Sequence, residues 1–536
     1  MYCMSRARFY YIIFLQTLFV LACMLPPYAL CWDMYVIPKW YAASSIALMG
    51  ILTLLLCPRM REWKLWKDGI AFAAALGILS QFIAVSVEIS HNIMSVMGIG
   101  VRGTFDNPCG LAISLCLLLP LAMYGADASI CRNASIDRLG CTKVLLVLLV
   151  SCMVCATHSR IGIFTILVYL LVWIWHYSRV RLVLKCAFVS VVLMLSFFMA
   201  FYAKAPSTNG RAFIVARSME LIMRKPITGY GSNGFNREYM SMQARYFKQH
   251  PNSKYGKLAD NIRHPLNEYI LLWVDYGIAA PVILLLMILL PVAYFRHHVI
   301  VNMLGMCLLI FSMFSYPFNY PLPVFVHLSL LGAFVICVIK TGQKIVFSIW
   351  VTVALFFALW MPGLFFIDNT ISSAVFYSLR GKHYKAIDKY EKLYSFYRCS
   401  PVRILYKNRY VYTLYNYSRE LFTTGCFSKA KAAIIELEAK VVDYDTRLLA
   451  GDTSYEIGEY SEAIDAYKTA AVMCPIRFAP LDGILKCYIK TERYSDAYRI
   501  AAQIVTKPVK IKNFNSERIR EYAKKYKIDY ENEMYQ

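Results

Sequence analysis

Four short segments hold the side chains of this chain best suited to chemistry. The first is Gly103-Thr104-Phe105-Asp106-Asn107-Pro108, and the second is Thr157-His158-Ser159-Arg160-Ile161-Gly162. The third begins at Asn209-Gly210-Arg211, passes Arg217 and continues through Pro226-Ile227-Thr228-Gly229-Tyr230-Gly231-Ser232-Asn233-Gly234-Phe235. The fourth is Asp260-Asn261-Ile262-Arg263-His264-Pro265-Leu266-Asn267-Glu268-Tyr269. A guanidinium stays charged and forks onto anionic oxygens, while an imidazole titrates near neutrality. Arginines, a histidine and several carboxamides and carboxylates together suit an anionic ligand. Each member also has a plain structural reading. Glycines 229, 231 and 234 could be turn residues, Arg160 could snorkel to lipid headgroups, and Asn267 and Glu268 could simply start a helix. Only the combination is informative.

Elements that bring these segments together follow from composition. The chain has 536 residues, 59% hydrophobic and 17% charged, whereas soluble chains carry roughly 25% charged residues. That excess excludes a soluble enzyme and a disordered chain. The 17 cysteines mostly lie singly in apolar runs, as at Cys116, Cys152, Cys155 and Cys307, where Cys is a small hydrophobe. They form no paired zinc motif, so no metal site is expected. Apolar runs fall near 10–30, 42–58, 69–88, 109–124, 144–158, 161–177, 186–203, 266–295, 299–317, 322–340 and 345–367. A bilayer needs roughly 20 apolar residues per helix, so about eleven spans are expected. The first run could instead be a signal sequence, since Val20-Leu21-Ala22-Cys23 faintly resembles a lipoprotein cleavage site.

Short-loop Lys and Arg set orientation. With the N-terminus inside, cytoplasmic loops collect fifteen: Arg6, Arg8, Arg59, Arg61, Lys64, Lys67, Arg132, Arg138, Lys143, Arg179, Arg181, Lys185, Arg296, Lys340 and Lys344. Short outer loops hold three, Lys39, Arg102 and Arg160. This threading brings all four segments to the outer face, with loop 204–265 and the C-terminal region. The loop carries eleven Lys/Arg against three Asp/Glu. Positive-inside logic does not account for charge outside, which leaves either a merely solvated loop or an anionic ligand at the membrane surface. Nucleic acid is a poor candidate there.

The SRxG turn around Arg160, the GR…PxxGxGxxGF stretch from Gly210 to Phe235 and the H…NEY segment from His264 resemble the O-antigen ligase/polymerase superfamily over roughly residues 40–340. One spacing departs from it: Pro265 and Leu266 separate His264 from Asn267, which makes His250 the reserve histidine. The resemblance implies a metal-independent membrane glycosyltransferase without cofactor, in a bacterial inner membrane. It implies transfer of a glycan from an undecaprenyl-diphosphate-linked donor to an acceptor hydroxyl at the periplasmic face, in lipopolysaccharide or surface polysaccharide biosynthesis. Arg160 and Arg211 would hold the diphosphate with Arg217 behind them, and His264 would be the base. Asp106, Asn107, Tyr230, Asn267 and Glu268 would contact substrate. The acceptor stays open between lipid A–core (a ligase), a glycan (an O-antigen or capsule polymerase) and a protein (an O-glycosyltransferase). A lipid-linked glycan flippase or transporter is the non-enzyme alternative, but it would place charges along a pathway inside the spans.

Residues 374–536 have ordinary surface charge, 28 basic against 20 acidic. Gly451, Gly458, Tyr460, Ala463, Tyr467, Ala470 and Pro475 fall at tetratricopeptide offsets, and Tyr488, Tyr494 and Ala497 continue the pattern. The expected architecture is all-α: a polytopic domain over 1–367 including the long periplasmic loop, then a tetratricopeptide-like α-solenoid over 374–536. That solenoid would recruit an acceptor or a protein partner, or would only stabilise the chain.

Overall fold

The computed structural model describes residues 2–28, 31–56, 63–124, 136–177, 205–339, 341–398, 400–509 and 514–535. Among these residues every regular element is helical and no strand occurs. The seventh expected span, 186–203, lies outside the described residues, as do Arg59, Arg61, Arg132, Arg179, Arg181, Lys185 and Lys340.

Two compact units divide the chain. The first comprises Met1–Lys204, Leu266–Tyr269 and Pro281–Phe365. Its helices are α1 (Tyr2–Cys23), α2 (Ile37–Leu56), α3 (Trp63–Ile99), α4 (Pro108–Tyr124), α5 (Ile136–Ala156) and α6 (Arg160–Tyr177), followed later by α10 (Ala279–Tyr294), α11 (Val299–Phe314) and α12 (Pro321–Val338). α4 is the axis. It is apolar on every face, so it has no solvent side to present, and Gly110 through Leu121 are all buried. Tyr169 of α6 donates its hydroxyl to the Cys116 carbonyl at 2.7 Å, pinning the two helices together. Apolar side chains also face outward: Ile83, Leu145, Ile283 and Leu355 are exposed.

Among the described residues, Gly69–His91 and Pro321–Val338 are long and apolar enough to cross a membrane. Six others, including Pro108–Tyr124 and Ala279–Tyr294, are apolar but shorter. The expected eighth span is not continuous. The run 266–295 breaks into α9 (Glu268–Tyr276) and α10 at Gly277, whose φ of +78° suits glycine and whose missing Cβ would lie 1.7 Å from the Ile227 carbonyl oxygen. Uniform hydropathy hides that break because it comes from packing against a segment fifty residues earlier.

The second unit comprises Ala205–Pro265, Ile270–Ala280 and Phe366–Gln536. The expected outer loop is mostly helical: α7 (Ala205–Arg224), α8 (Gly234–Gln249) and a 3₁₀ turn at Lys254–Lys257. α13 (Gly342–Leu379) runs unbroken through the expected domain boundary. After it come α14 (His383–Phe396), α15 (Ser400–Leu405), α16 (Lys407–Thr423), α17 (Phe427–Glu438), α18 (Tyr444–Ile457), α19 (Tyr460–Met473), α20 (Ala479–Lys490), α21 (Tyr494–Thr506) and α22 (Phe514–Tyr535). From α16 onward each helix packs on the next. Small residues explain the closeness: a Cβ at Gly451 or Gly483 would lie 2.6 or 2.4 Å from the Tyr467 ring. The loop helices share a core with this region, where Leu221, Phe235, Tyr239 and Val274 meet Tyr444, Ala470 and Met473.

Candidate functional site

The nine expected site residues fall in both units. Asp106, Asn107, Arg160, Asn267 and Glu268 belong to the first, and Arg211, Arg217, Tyr230 and His264 to the second.

In the first unit one end of the helix group gathers three of the four sequence segments. Asn107 caps α4: its Oδ1 accepts from the Gly110 amide at 2.9 Å, with Pro108 at the first helical position. Its Nδ2 donates to Asp106 Oδ2 at 2.9 Å, Tyr316 Oη at 2.7 Å and Tyr320 Oη at 2.9 Å. Tyr320 in turn donates to Asp106 Oδ1 at 2.6 Å. The Asp106–Asn107 pair is therefore tied to the segment joining α11 and α12. That segment also receives the fourth motif, since Asn267 donates to the Met313 carbonyl at 2.8 Å and Glu268 is hydrogen-bonded to the Phe318 backbone. The second motif joins through Val101, whose amide donates to the Ala156 carbonyl at 3.0 Å. Arg160 opens α6 behind Ser159, whose hydroxyl accepts from the Gly162 amide at 3.2 Å. Buried Lys39 braces the assembly, donating to the Leu25, Tyr35 and Thr104 carbonyls at 2.7, 2.9 and 2.7 Å. Sequence reading missed Tyr316 and Tyr320; the signal was the Tyr-Pro-Phe-Asn-Tyr-Pro run between two apolar stretches.

In the second unit the glycine run is closed from within. Gly229 and Gly231 have φ of +63° and +82°, and the turn they make brings the start of α8 onto Asp275. The Asp275 carboxylate accepts from Phe235 N at 2.8 Å and Asn233 N at 3.1 Å, while its carbonyl accepts from Gly231 N at 2.7 Å. A helix N-terminus attracts anions, and here the anion is a side chain of the protein itself. Tyr230 serves the same turn: its hydroxyl donates to the Leu221 carbonyl at 3.3 Å and its carbonyl accepts from Arg237 at 2.7 Å.

Arg211 and Arg217 both lie on α7, but six residues place them about 120° apart around the axis. Arg217 is committed locally, paired with Glu220 at 2.6 Å and lying 4.2 Å above the Tyr246 ring. Arg211 is half-buried. His250 ends α8, stacked on Tyr246 at 4.6 Å with Nδ1 3.1 Å from the Tyr246 carbonyl, a capping position. His264 is half-buried, and desolvation pushes its imidazole down to about 4. The ring is thus neutral at neutral pH.

Residues 145–285 match the family model described as O-antigen ligase. The matched stretch holds every expected site residue except Asp106 and Asn107, and it is narrower than the resemblance read from the motifs. No curated protein matches the chain.

Proposed function

We propose that this protein is a polytopic glycosyltransferase of a bacterial inner membrane, transferring a glycan from undecaprenyl diphosphate to an acceptor hydroxyl at the periplasmic face. The observation that carries the reading is the O-antigen ligase match over 145–285, which includes Arg160, Arg211 and His264. In the reaction the acceptor oxygen bonds to the anomeric carbon, and the bond from that carbon to the diphosphate oxygen breaks. The electron pair departs with the diphosphate, and the acceptor proton passes to the His264 ring. Arg160 and Arg211 stabilise the charge that develops on the leaving group. A desolvated neutral histidine is a weak base alone, but an arriving diphosphate raises its proton affinity through the opposite charge. Asp106, Asn107, Tyr230, Asn267 and Glu268 are assigned to substrate contact, and Arg217 supports α7 through its Glu220 pair. Outward-facing apolar side chains on the first unit support its membrane setting. The helices from α14 onward are read as a tetratricopeptide-like solenoid in the periplasm.

The test is transfer by purified protein in lipid nanodiscs, with a polyprenyl-diphosphate glycan and, separately, lipid A–core, a free glycan chain and a protein acceptor. A product with one acceptor assigns ligase, polymerase or protein glycosyltransferase. Donor translocation without glycosidic bond formation would replace the enzyme reading with a flippase.

A further inference from the structure

The segment that carries His264 is fastened, residue by residue, to the C-terminal helices of its own unit. Asp260 Oδ1 accepts from Arg477 Nη2 at 2.6 Å. Asn261 Nδ2 donates to Asp445 Oδ2 at 2.9 Å and to Asp443 Oδ2 at 3.3 Å. Arg263 Nη2 reaches the same two carboxylates at 3.0 and 3.5 Å. Between these grips Gln243, fully buried, donates to the Asp260 carbonyl at 3.0 Å and the Met473 carbonyl at 2.7 Å. Three of the four residues before His264 thus contact the region 443–477.

The anchor itself is rigid. Asp443 is the N-cap of α18, its Oδ1 accepting from Thr446 N at 2.9 Å in a capping box, which leaves Oδ2 aimed at Asn261 and Arg263. Arg477 lies 4.7 Å over the Tyr444 ring, the first residue of the same helix. An exposed ion pair alone contributes little. Several directed bonds onto one capped helix start restrict the position of a short segment far more than any one of them stabilises the fold.

We propose that Asp443, Asp445 and Arg477 are positioning residues that hold the segment 260–263, and through it His264, in place for transfer. The inference rests on the reading of His264 as the base. It gives the C-terminal helices a part in the chemical step itself, beyond recruiting an acceptor or stabilising the chain.

The full-length protein is assayed for transfer with kcat and KM separated, at matched membrane abundance. Arg477→Asp, and separately Asp443→Asn with Asp445→Asn, should each lower kcat about tenfold or more with KM for acceptor nearly unchanged, since a displacement near 1 Å can cost about 10²-fold. Combining Asp260→Arg with Arg477→Asp should restore most of the loss by remaking the pair in reverse. Unchanged kcat in the single and paired variants would overturn the proposal, as would a loss confined to KM or one that the charge swap leaves unrepaired. His264→Ala runs in parallel. If it abolishes transfer while Arg477→Asp is fully active, the base reading stands and the positioning role fails. If His264→Ala is fully active, both fall.

Discussion

Asp275 Oδ1 accepts the Phe235 amide proton at 2.8 Å across forty residues of chain, and this one bond decides what the glycine run is for. The amides at the start of α8 point at a carboxylate that folding supplies, so the turn needs no external anion to satisfy them.

Asp275→Ala should therefore behave as a cap deletion. It strands the Phe235 and Asn233 amides and should cost about 1–2 kcal/mol, read as a lower denaturation midpoint in detergent. Asp275→Asn, which keeps an acceptor oxygen, should lose less. Equal stability in all three proteins would show that the cap contributes nothing.

Arg211→Ala and Arg217→Ala should separate. Loss of a charge-stabilising donor costs about 2.7–4 kcal/mol of transition-state energy, so Arg211→Ala should reduce transfer on the order of 10²-fold without loss of membrane abundance. Arg217→Ala breaks the Glu220 pair and the Tyr246 contact and should lower stability first. Lys254→Ala, on the exposed 3₁₀ turn, should leave transfer unchanged. Equal, small losses in all three would indicate a generic cationic surface.

As the proposed base, His264 should give transfer an acid limb that sets in well below the ordinary histidine range. The base is active when neutral. Burial holds its pKa near 4, so the neutral form predominates above that value and is lost only as pH falls towards it. The kcat/KM profile, which reports the free enzyme, should be flat from about pH 8 to pH 5.5, and His264→Ala should flatten what remains at about 10²–10⁴-fold lower activity. A limb centred near 6.5 would place the titrating histidine in water.

The orientation of the chain is open to a fusion test. A reporter active only outside the cytoplasm, joined after Gln536, should be active on the fifteen-to-three asymmetry of the short loops. An inactive, stably expressed fusion would reverse the topology and remove the proposed periplasmic site.

What the sequence determined by itself is local: an all-α class, an apolar surplus that turns Ile83, Leu145 and Leu355 outward, and motifs whose stretch from 145 to 285 matches O-antigen ligase. Helical periodicity and hydropathy are properties of neighbouring residues, so they can be read from the chain directly. Tertiary structure alone decided the long-range pairings. It assigned the amides of the glycine turn to Asp275, broke the run 266–295 at Gly277 against Ile227, tied Asp106 and Asn107 to Tyr316 and Tyr320, and fastened Asp260 to Arg477. In those contacts the partners stand from about forty to more than two hundred residues apart. No local pattern encodes which carboxylate will meet which amide, because burial selects the partner only after the helices have packed.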